Sequence, residues 1–73
     1  MKNVMLVGGG KIGVAIAQFL TTSGDYRVAV VDRDPASLER MPEGVERRQV
    51  TIDSVEVMAD EIAGQDIVLS ATP

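Results

Sequence analysis

The 73-residue sequence contains no cysteine, no histidine and no tryptophan, and its only aromatic residues are one tyrosine and one phenylalanine. A Ser-His-Asp triad, a Cys-His pair, a disulfide and a histidine- or thiolate-ligated metal site all need side chains that are absent. Those chemistries are excluded. A core in a chain this short rarely contributes more than about 3–5 kcal/mol without such cross-links. We therefore expect a piece of a larger protein or a self-associating unit.

Positive charge and long hydrophobic runs are also scarce. Seven basic residues stand against eleven acidic ones, giving a net charge of −4, and the basic residues are scattered. This argues against partners such as nucleic acid or a membrane surface, which attract clustered basic charge. The apolar run Val4–Val7 is too short for a signal-peptide core or a membrane span. A cytoplasmic protein is the expectation.

The chain does contain short apolar runs that alternate with helical patterns. The runs Val4–Val7, Val28–Val31 and Ile67–Leu69 are continuous and rich in β-branched residues, which is typical of strands buried on both faces of a parallel sheet. Between the first two, apolar residues at i, i+3, i+4, i+7 and i+8 predict a helix of about three turns, which Gly24 caps. The apolar stripe of this helix is Ile12, Ala15, Ile16, Phe19 and Leu20.

A second helix and an edge strand are predicted after the second apolar run. Asp34 followed by a proline predicts a short helix from Pro35 to about Met41, because aspartate caps helix starts and proline suits the first helical position. Its inward contacts would be Leu38 and Met41. The more polar segment Val45–Ile52 predicts a strand at the solvent-facing edge of the sheet.

A third helix is predicted before the last apolar run. Asp53 with Glu56 three residues later resembles a capping box, and Gly64 ends the helix. We interpret the carboxylates of Glu56 and Asp60 as a solvated acidic face and predict no metal site. The predicted apolar side is Val55, Met58, Ala59 and Ile62.

The order strand, helix, strand, helix, strand, helix, strand, with right-handed crossovers, predicts an α/β fold. We expect the first half of a Rossmann-type doubly wound parallel sheet, with about four strands in the order 3-2-1-4. The fourth strand, from Ile67 to Ala71, would lack the strands that normally cover it. Its apolar, unpaired edge predicts a homodimer.

The segment Gly8–Gly13 matches the pattern G-x-G-x-x-G between the first strand and the first helix. In this context Gly8 makes the tight turn, Gly10 lets a pyrophosphate approach the backbone, and Gly13 lets the helix pack closely on the sheet. The N–H groups at the helix start, where Lys11 and Ile12 lie, would hold the anion. The alternatives are a plain turn and a solvated Lys11 without a phosphate contact.

Asp32 ends the second predicted strand, 19 residues after Gly13. A carboxylate here accepts hydrogen bonds from the adenosine ribose, attracts a 2′-hydroxyl and repels a 2′-phosphate. The sequence therefore favours NAD over NADP as cofactor. Arg33 leaves NADP open, because its guanidinium can tolerate the phosphate if Asp32 is turned away, or can stack on the adenine. Asp32 as a merely solvated acid is the other alternative.

Two other nucleotide-binding folds place different demands on the same loop. A P-loop needs Lys and Ser/Thr where this chain has Val14 and Ala15, so phosphoryl transfer is disfavoured. A methyl-donor fold stays open, although three glycines followed by Asp32 fit a dinucleotide better. Residues 1–73 are therefore expected to form a single NAD(P)-binding Rossmann domain, a fragment truncated after the fourth strand.

Four segments together resemble the N-terminal cofactor domain of the saccharopine dehydrogenase family, including its lysine 6-dehydrogenase-like branch. They are Gly8–Gly13, Thr22–Val28, Val31–Asp34 and Asp66–Pro73. The resemblance spans the whole chain. Its last segment, in which small residues are followed by a proline, is more specific to this family than the glycine loop. It implies an NAD(P)-dependent oxidoreductase acting at a carbon–nitrogen bond of an amino acid. The amino-acid substrate would be bound by a missing domain, so the chain alone is not expected to be catalytic.

The resemblance also implies roles for individual residues. Gly8, Gly10 and Gly13 would line the pyrophosphate, and Asp32 and Arg33 the adenosine end. No catalytic residue is carried over, because the family's proton-transferring residues lie beyond this region. Thr51 stands where relatives often carry an acid near adenine. The middle of the cofactor would lie against Ser70, Ala71, Thr72 and Pro73.

A second hypothesis comes from a different class of protein. Gly8–Gly13 and Val31–Asp34 also resemble the regulatory nucleotide-binding domains of potassium transport proteins (RCK-like domains), which bind dinucleotides or ATP without catalysis. The closing segment Ser70–Pro73 favours the dehydrogenase.

Overall fold

The computed structural model describes residues 1–71 as four strands and three helices. The strands are β1 (Lys2–Val7), β2 (Tyr26–Asp32), β3 (Glu46–Gln49) and β4 (Ile67–Ser70). The helices are α1 (Lys11–Ser23), α2 (Pro35–Glu39) and α3 (Val55–Ile62). All strand pairs are parallel, and the order across the sheet is β3-β2-β1-β4. The predicted α/β architecture and strand order are confirmed.

The core lies around the two central strands. β1 and β2 pair in register, with Val4 opposite Val28 and Leu6 opposite Val30, and all four side chains are buried. Leu6, Val28 and Val30 belong to a cluster completed by residues of α1, α2 and the loop before β3. Met5 is buried on the other face, so the continuous apolar runs do mark strands covered on both sides.

Helix α1 packs on the sheet through residues that only partly match the predicted stripe. Gly13 and Ala17 are buried, whereas Ile12 is 67% exposed and Phe19 is 75% exposed. The prediction that the stripe is buried was wrong for Ile12, Phe19 and Ala15. Ile16 and Leu20 do pack against the core. The small residues Gly13 and Ala17 thus occupy the buried side of α1, and the larger Ile12 and Phe19 face solvent.

The short elements on the β3 side are shorter than predicted. Helix α2 ends at Glu39 rather than near Met41, although Leu38 and Met41 are buried as expected. The predicted strand Val45–Ile52 is reduced to the four residues of β3. The guanidinium of Arg47, in β3, donates to the carbonyls of Leu38 and Met41 at 2.9 and 2.8 Å. It thus ties β3 to backbone carbonyls at and just after the end of α2.

The N-cap of helix α3 lies one residue later than predicted. The N-cap is Ser54, whose hydroxyl accepts from the N–H of Val57 at 3.2 Å, so the prediction of Asp53 was wrong. The predicted apolar side is also largely exposed, with Val55 82% accessible, while Val57 and Met58 are half-buried. Gly64 follows the helix with a φ of 81°, which is consistent with its predicted terminating role.

Strand β4 is one residue shorter than predicted, and all four of its residues are exposed. It pairs with β1 along one edge, and Ile67, Val68 and Leu69 are 37–43% exposed. Ile67 is in register with Val4 and Leu69 with Leu6, so these two side chains lie on the face of the sheet that α1 covers farther along. An apolar strand is therefore left accessible at the sheet edge.

Candidate functional site

The glycine loop joins β1 to α1 at the carboxyl end of the sheet. Gly8 has a φ of 95°, and its N–H donates to the carbonyl of Val31 in the neighbouring strand at 2.9 Å. A residue with a Cβ is strained in this left-handed conformation. Gly8 thus turns the chain out of β1 while it remains hydrogen-bonded to β2.

Gly13 lies where the first turn of α1 crosses this loop. A Cβ at Gly13 would stand 2.7 Å from the Gly8 carbonyl oxygen and 3.7 Å from the Ala71 Cβ. The first distance is shorter than any real Cβ contact, and the atom it meets is backbone that cannot swing aside. Only glycine therefore lets α1 begin so close to the loop and to the end of β4.

Gly10 is the N-cap of α1 and faces open space. No heavy atom would lie within 4 Å of a Cβ placed there. The cap makes no side-chain hydrogen bond, and the first turn contains no acidic residue. The first N–H groups of a helix have no intrahelical acceptor and carry the positive end of the helix dipole. Lys11 and Ile12, both exposed, stand in this turn.

Gly9 is a site residue that sequence reasoning missed. It is buried, and its N–H donates to Oδ2 of Asp32 at 2.7 Å. A Cβ at Gly9 would be 3.1–3.3 Å from Met41, Asp32 and Ser37. The pattern G-x-G allows any residue at its middle position. The only signal for Gly9 in the sequence was that it completes an unbroken run of three glycines.

Asp32 is tied to the backbone through both carboxylate oxygens. Besides the bond from Gly9, its Oδ1 accepts from the N–H of Asp34 at 2.9 Å. Asp34 in turn caps α2, because its carboxylate accepts from the N–H of Ala36 at 3.0 Å. Two carboxylates therefore stand at the end of β2, separated by the exposed Arg33.

A cavity of about 280 Å³ opens beside Asp32. It lies among the ends of β1 and β2 and the segment after β3, where Thr51 and Ile52 line it. The sheet thus brings Gly8, Asp32, Arg33 and Thr51 to one opening, although they are distant in sequence.

The end of β4 reaches the same edge of the sheet. The N–H of Ala71 donates to the carbonyl of Val7 at 2.9 Å, which places Ala71 next to Gly13. Ser70 is the last residue of β4 and is exposed. Thr72 and Pro73, also predicted to contact a cofactor, lie outside the described residues.

Within residues 1–71, no three histidine, cysteine or acidic side chains are grouped so that they could hold a metal ion. Over the same residues, no helix combines the length and apolar character needed to cross a bilayer.

Three comparisons with known proteins bear on this arrangement. The profile of a family described as the saccharopine dehydrogenase NADP binding domain matches residues 4–73. The Trk system potassium uptake protein TrkA of Streptomyces coelicolor is 41% identical over 49 residues, a match covering 67% of this chain and 22% of that protein. The crystal structure of the oxidoreductase ylbE from Lactococcus lactis superposes with a TM-score of 0.73 at 23% identity, covering 96% of this chain and 32% of that one. The last match shows the same Rossmann-type fold.

Proposed function

The chain belongs to the family of saccharopine dehydrogenase NADP binding domains, and from this membership we propose that it holds a nicotinamide dinucleotide across the carboxyl ends of β1 and β2. The observation that carries the proposal is the uncapped start of α1, which faces open space at Gly10 beside the cavity at Asp32. A helix start of this kind accepts a pyrophosphate, and the cavity extends toward the adenosine.

The loop residues fit the central part of the cofactor. The open space at Gly10 lets a pyrophosphate reach the N–H groups of Lys11, Ile12 and Gly13. Gly8 and Gly13 hold the loop and helix in this arrangement without touching the ligand through side chains. Ala71 stands beside Gly13, directly after Ser70 at the end of β4, on the side where the nicotinamide half would continue.

The adenosine end is the part that distinguishes NAD from NADP. The Asp32 carboxylate lines the cavity at the end of β2 together with Arg33, whereas the Asp34 carboxylate caps α2. A 2′-phosphate brought to the cavity meets the Asp32 carboxylate, whereas a 2′-hydroxyl can donate to it. We therefore propose NAD as the preferred cofactor of this member, although the family is described by NADP.

The reaction is proposed from the family. When bound, the dinucleotide supplies a hydride acceptor or donor, and we propose a larger oxidoreductase that acts at a carbon–nitrogen bond of an amino acid. The chain spans 22% of the TrkA protein and 32% of the ylbE chain. The amino-acid site and the catalytic residues are accordingly proposed to lie in a separate domain of the complete protein. A cytoplasmic location stays a prediction.

Calorimetric titration of the protein with NAD, NADP, ATP and S-adenosylmethionine tests this function. We expect NAD to bind about tenfold or more tightly than NADP, because one unfavourable charge contact of about 1.4 kcal/mol gives that ratio. ATP and S-adenosylmethionine are expected to bind more weakly than NAD. Tighter binding of S-adenosylmethionine or ATP would contradict the dinucleotide function, and tighter binding of NADP would contradict the cofactor preference alone.

A regulatory function is the second candidate, and the identity to TrkA favours it. The 41% identity extends over 49 residues of a protein named for potassium uptake. In that case the domain would bind a nucleotide without transferring a hydride. An assay of the full-length protein for nicotinamide reduction with a panel of amino acids separates the two hypotheses. Reduction supports the oxidoreductase, and nucleotide binding without reduction supports the regulator.

We propose a second copy of this chain as the partner at β4. Ile67 and Leu69 leave an apolar strip on the α1 side of the sheet, and the outer edge of β4 has no paired strand among residues 1–71. An open apolar edge of this kind pairs readily with another strand. Antiparallel pairing of two β4 strands would extend the sheet across a twofold axis.

Leu69→Lys is expected to convert this dimer to a monomer, because a lysine on an edge strand opposes strand pairing. Sedimentation velocity over a range of concentrations measures the change. Val55→Lys is the control, because Val55 is also an exposed apolar residue but lies on α3. A monomeric unaltered chain at high concentration would rule out the dimer.

A further inference from the structure

The glycine loop is packed at Gly9 and open at Gly10. Gly9 is buried. A Cβ built on it would lie 3.1 Å from Cε of Met41, 3.2 Å from Oδ2 of Asp32 and 3.3 Å from Cβ of Ser37. A Cβ at Gly10 would meet no atom within 4 Å. The packing that fixes this part of the loop therefore acts at Gly9 rather than at Gly10.

Met41 joins the loop to the hydrophobic core. It is 4% exposed and belongs to the same buried cluster as Leu6, Val28 and Val30. Its Cε methyl group is the far end of an unbranched side chain, which can adopt several shapes. The position of this methyl group next to Gly9 therefore depends on how the cluster and the Met41 backbone are held.

The backbone of Met41 is held by hydrogen bonds on both sides. Its N–H donates to the carbonyl of Leu38 at 3.2 Å, and its carbonyl accepts from the guanidinium of Arg47 at 2.8 Å. The same guanidinium donates to the carbonyls of Leu38, Pro42 and Val45 at 2.9, 3.3 and 3.2 Å. Because a guanidinium presents its donors in a rigid fork, these bonds fix the turn that carries Met41.

We propose that Met41 is a positioning residue of the dinucleotide site and acts on the pyrophosphate through Gly9; the inference rests on the function proposed above. The terminal methyl group of Met41 occupies the space beside Gly9 and prevents the loop from moving into the core. Gly10 follows directly and is the N-cap of α1, so a displaced Gly9 also displaces the first N–H groups of the helix. Binding groups must be held within about 0.5 Å of their productive geometry. Met41 thus sets the affinity for a pyrophosphate without touching it.

Met41→Leu tests the contact in the free protein. Leucine keeps the apolar volume, but its side chain is one bond shorter and withdraws the terminal methyl group from Gly9. Hydrogen exchange of the Gly9 N–H, followed by NMR, is expected to become about threefold to tenfold faster, the size of effect that a volume-conserving core substitution can produce. The N–H groups of Leu6 and Val30 should keep their exchange rates. An unchanged rate at Gly9 overturns the proposal, and so does equal acceleration at all three residues.

The same variant separates the two halves of the cofactor site. Calorimetric titration with NAD and with adenosine is expected to show an affinity for NAD that is about threefold to tenfold lower and an unchanged affinity for adenosine. Adenosine has no pyrophosphate, and the Asp32 carboxylate keeps its bond from the N–H of Asp34 at 2.9 Å. A general loss of packing would lower both affinities together and would overturn the proposal.

Leu38→Met is the matched control. It is the reverse exchange at another buried residue of the same cluster, and no atom of Leu38 is among the three nearest to a Cβ on Gly9. This variant should leave the ratio of the affinities for NAD and adenosine unchanged. The same change in ratio as in Met41→Leu would assign the effect to the core in general and overturn the proposal.

A double substitution gives the sharpest result. Gly9→Ala adds a methyl group 3.1 Å from Cε of Met41 and is expected to weaken NAD binding about tenfold. Combined with Met41→Leu, it should regain part of that affinity, because the shorter side chain leaves room for the new methyl group. A double variant that binds NAD no better than Gly9→Ala overturns the positioning role alone. Failure of the unaltered chain to bind NAD contradicts the proposed function, and the positioning role with it.

Discussion

Asp32→Ala is expected to lower both the stability of the domain and its affinity for NAD. The Asp32 carboxylate accepts from the N–H groups of Gly9 and Asp34, at 2.7 and 2.9 Å. Gly9 is buried, so its N–H would lose its partner where water does not easily replace it. Hydrogen bonds to a charged group contribute about 1.5–3 kcal/mol each. We expect a loss of about 2–4 kcal/mol in the free energy of unfolding, measured by thermal or urea denaturation.

The same substitution is expected to change cofactor preference. Removing the carboxylate takes away the ribose contact of NAD and the repulsion toward the 2′-phosphate of NADP. The affinity for NAD should therefore fall more than the affinity for NADP, measured by calorimetry under conditions where the variant is folded. Asp25→Ala removes one acidic charge in the turn before β2 and serves as the control. An unchanged ratio of the two affinities would remove Asp32 from the ribose site.

Gly13→Ala is expected to have the largest effect of any single methyl group added to the loop. The new Cβ would stand 2.7 Å from the Gly8 carbonyl oxygen, so either the loop or the start of α1 must move. Overpacking of this kind costs about 1–3 kcal/mol or more. A displaced helix start also no longer presents its N–H groups to the pyrophosphate. We expect a lower melting midpoint and loss of NAD binding.

Gly10→Ala is the variant to compare with Gly13→Ala, because a Cβ at Gly10 meets no atom within 4 Å. Its φ of −61° is also accessible to alanine. The melting midpoint should stay close to that of the unaltered chain, while NAD binding falls because the methyl group occupies the path of the pyrophosphate. If Gly10→Ala bound NAD normally, the pyrophosphate would have to lie elsewhere. If Gly13→Ala kept full stability, the close contact with Gly8 would be contradicted.

The strand layout could be predicted from sequence because each strand carries a simple signal. The runs Val4–Val7 and Val28–Val31 are short, and their apolar residues do not alternate with polar ones. This combination is typical of strands covered on both faces. The polar residues of β3 placed it at the edge. Because parallel strands are joined by right-handed helical crossovers, few strand orders across the sheet were then possible.

The packing of α1 could not be predicted in the same way. The spacing of apolar residues predicts which face of a helix is buried, and Ile12 and Phe19 are large apolar residues that fit this spacing. The approach of the helix is decided instead by Gly13 and Ala17, whose small size lets the backbone come near the sheet. Similarly, Asp53 and Ser54 are both good caps, and only the direction of the backbone selects Ser54.

The site was predictable in its positions and less so in its contacts. The glycine spacing and the distance to Asp32 locate the loop and the end of β2, because these depend on the strand–helix–strand order. The bond between Asp32 and the Gly9 N–H depends on a side-chain rotamer and a loop conformation that no spacing specifies. The contact of Met41 with Gly9 became visible only when the turn after α2 and the glycine loop were placed together.

The most direct test of the dinucleotide site is a residue-by-residue NMR titration of the ¹⁵N-labelled protein with NAD. We expect the largest shifts at Gly8–Gly13, at Asp32 and Arg33, and at Thr51, which together border the loop and its cavity. The signals of Asn3 and Gln65, at the other end of the sheet, should stay in place. Saturable binding with shifts confined to the other end of the sheet, or no binding at millimolar NAD, would contradict the proposed site.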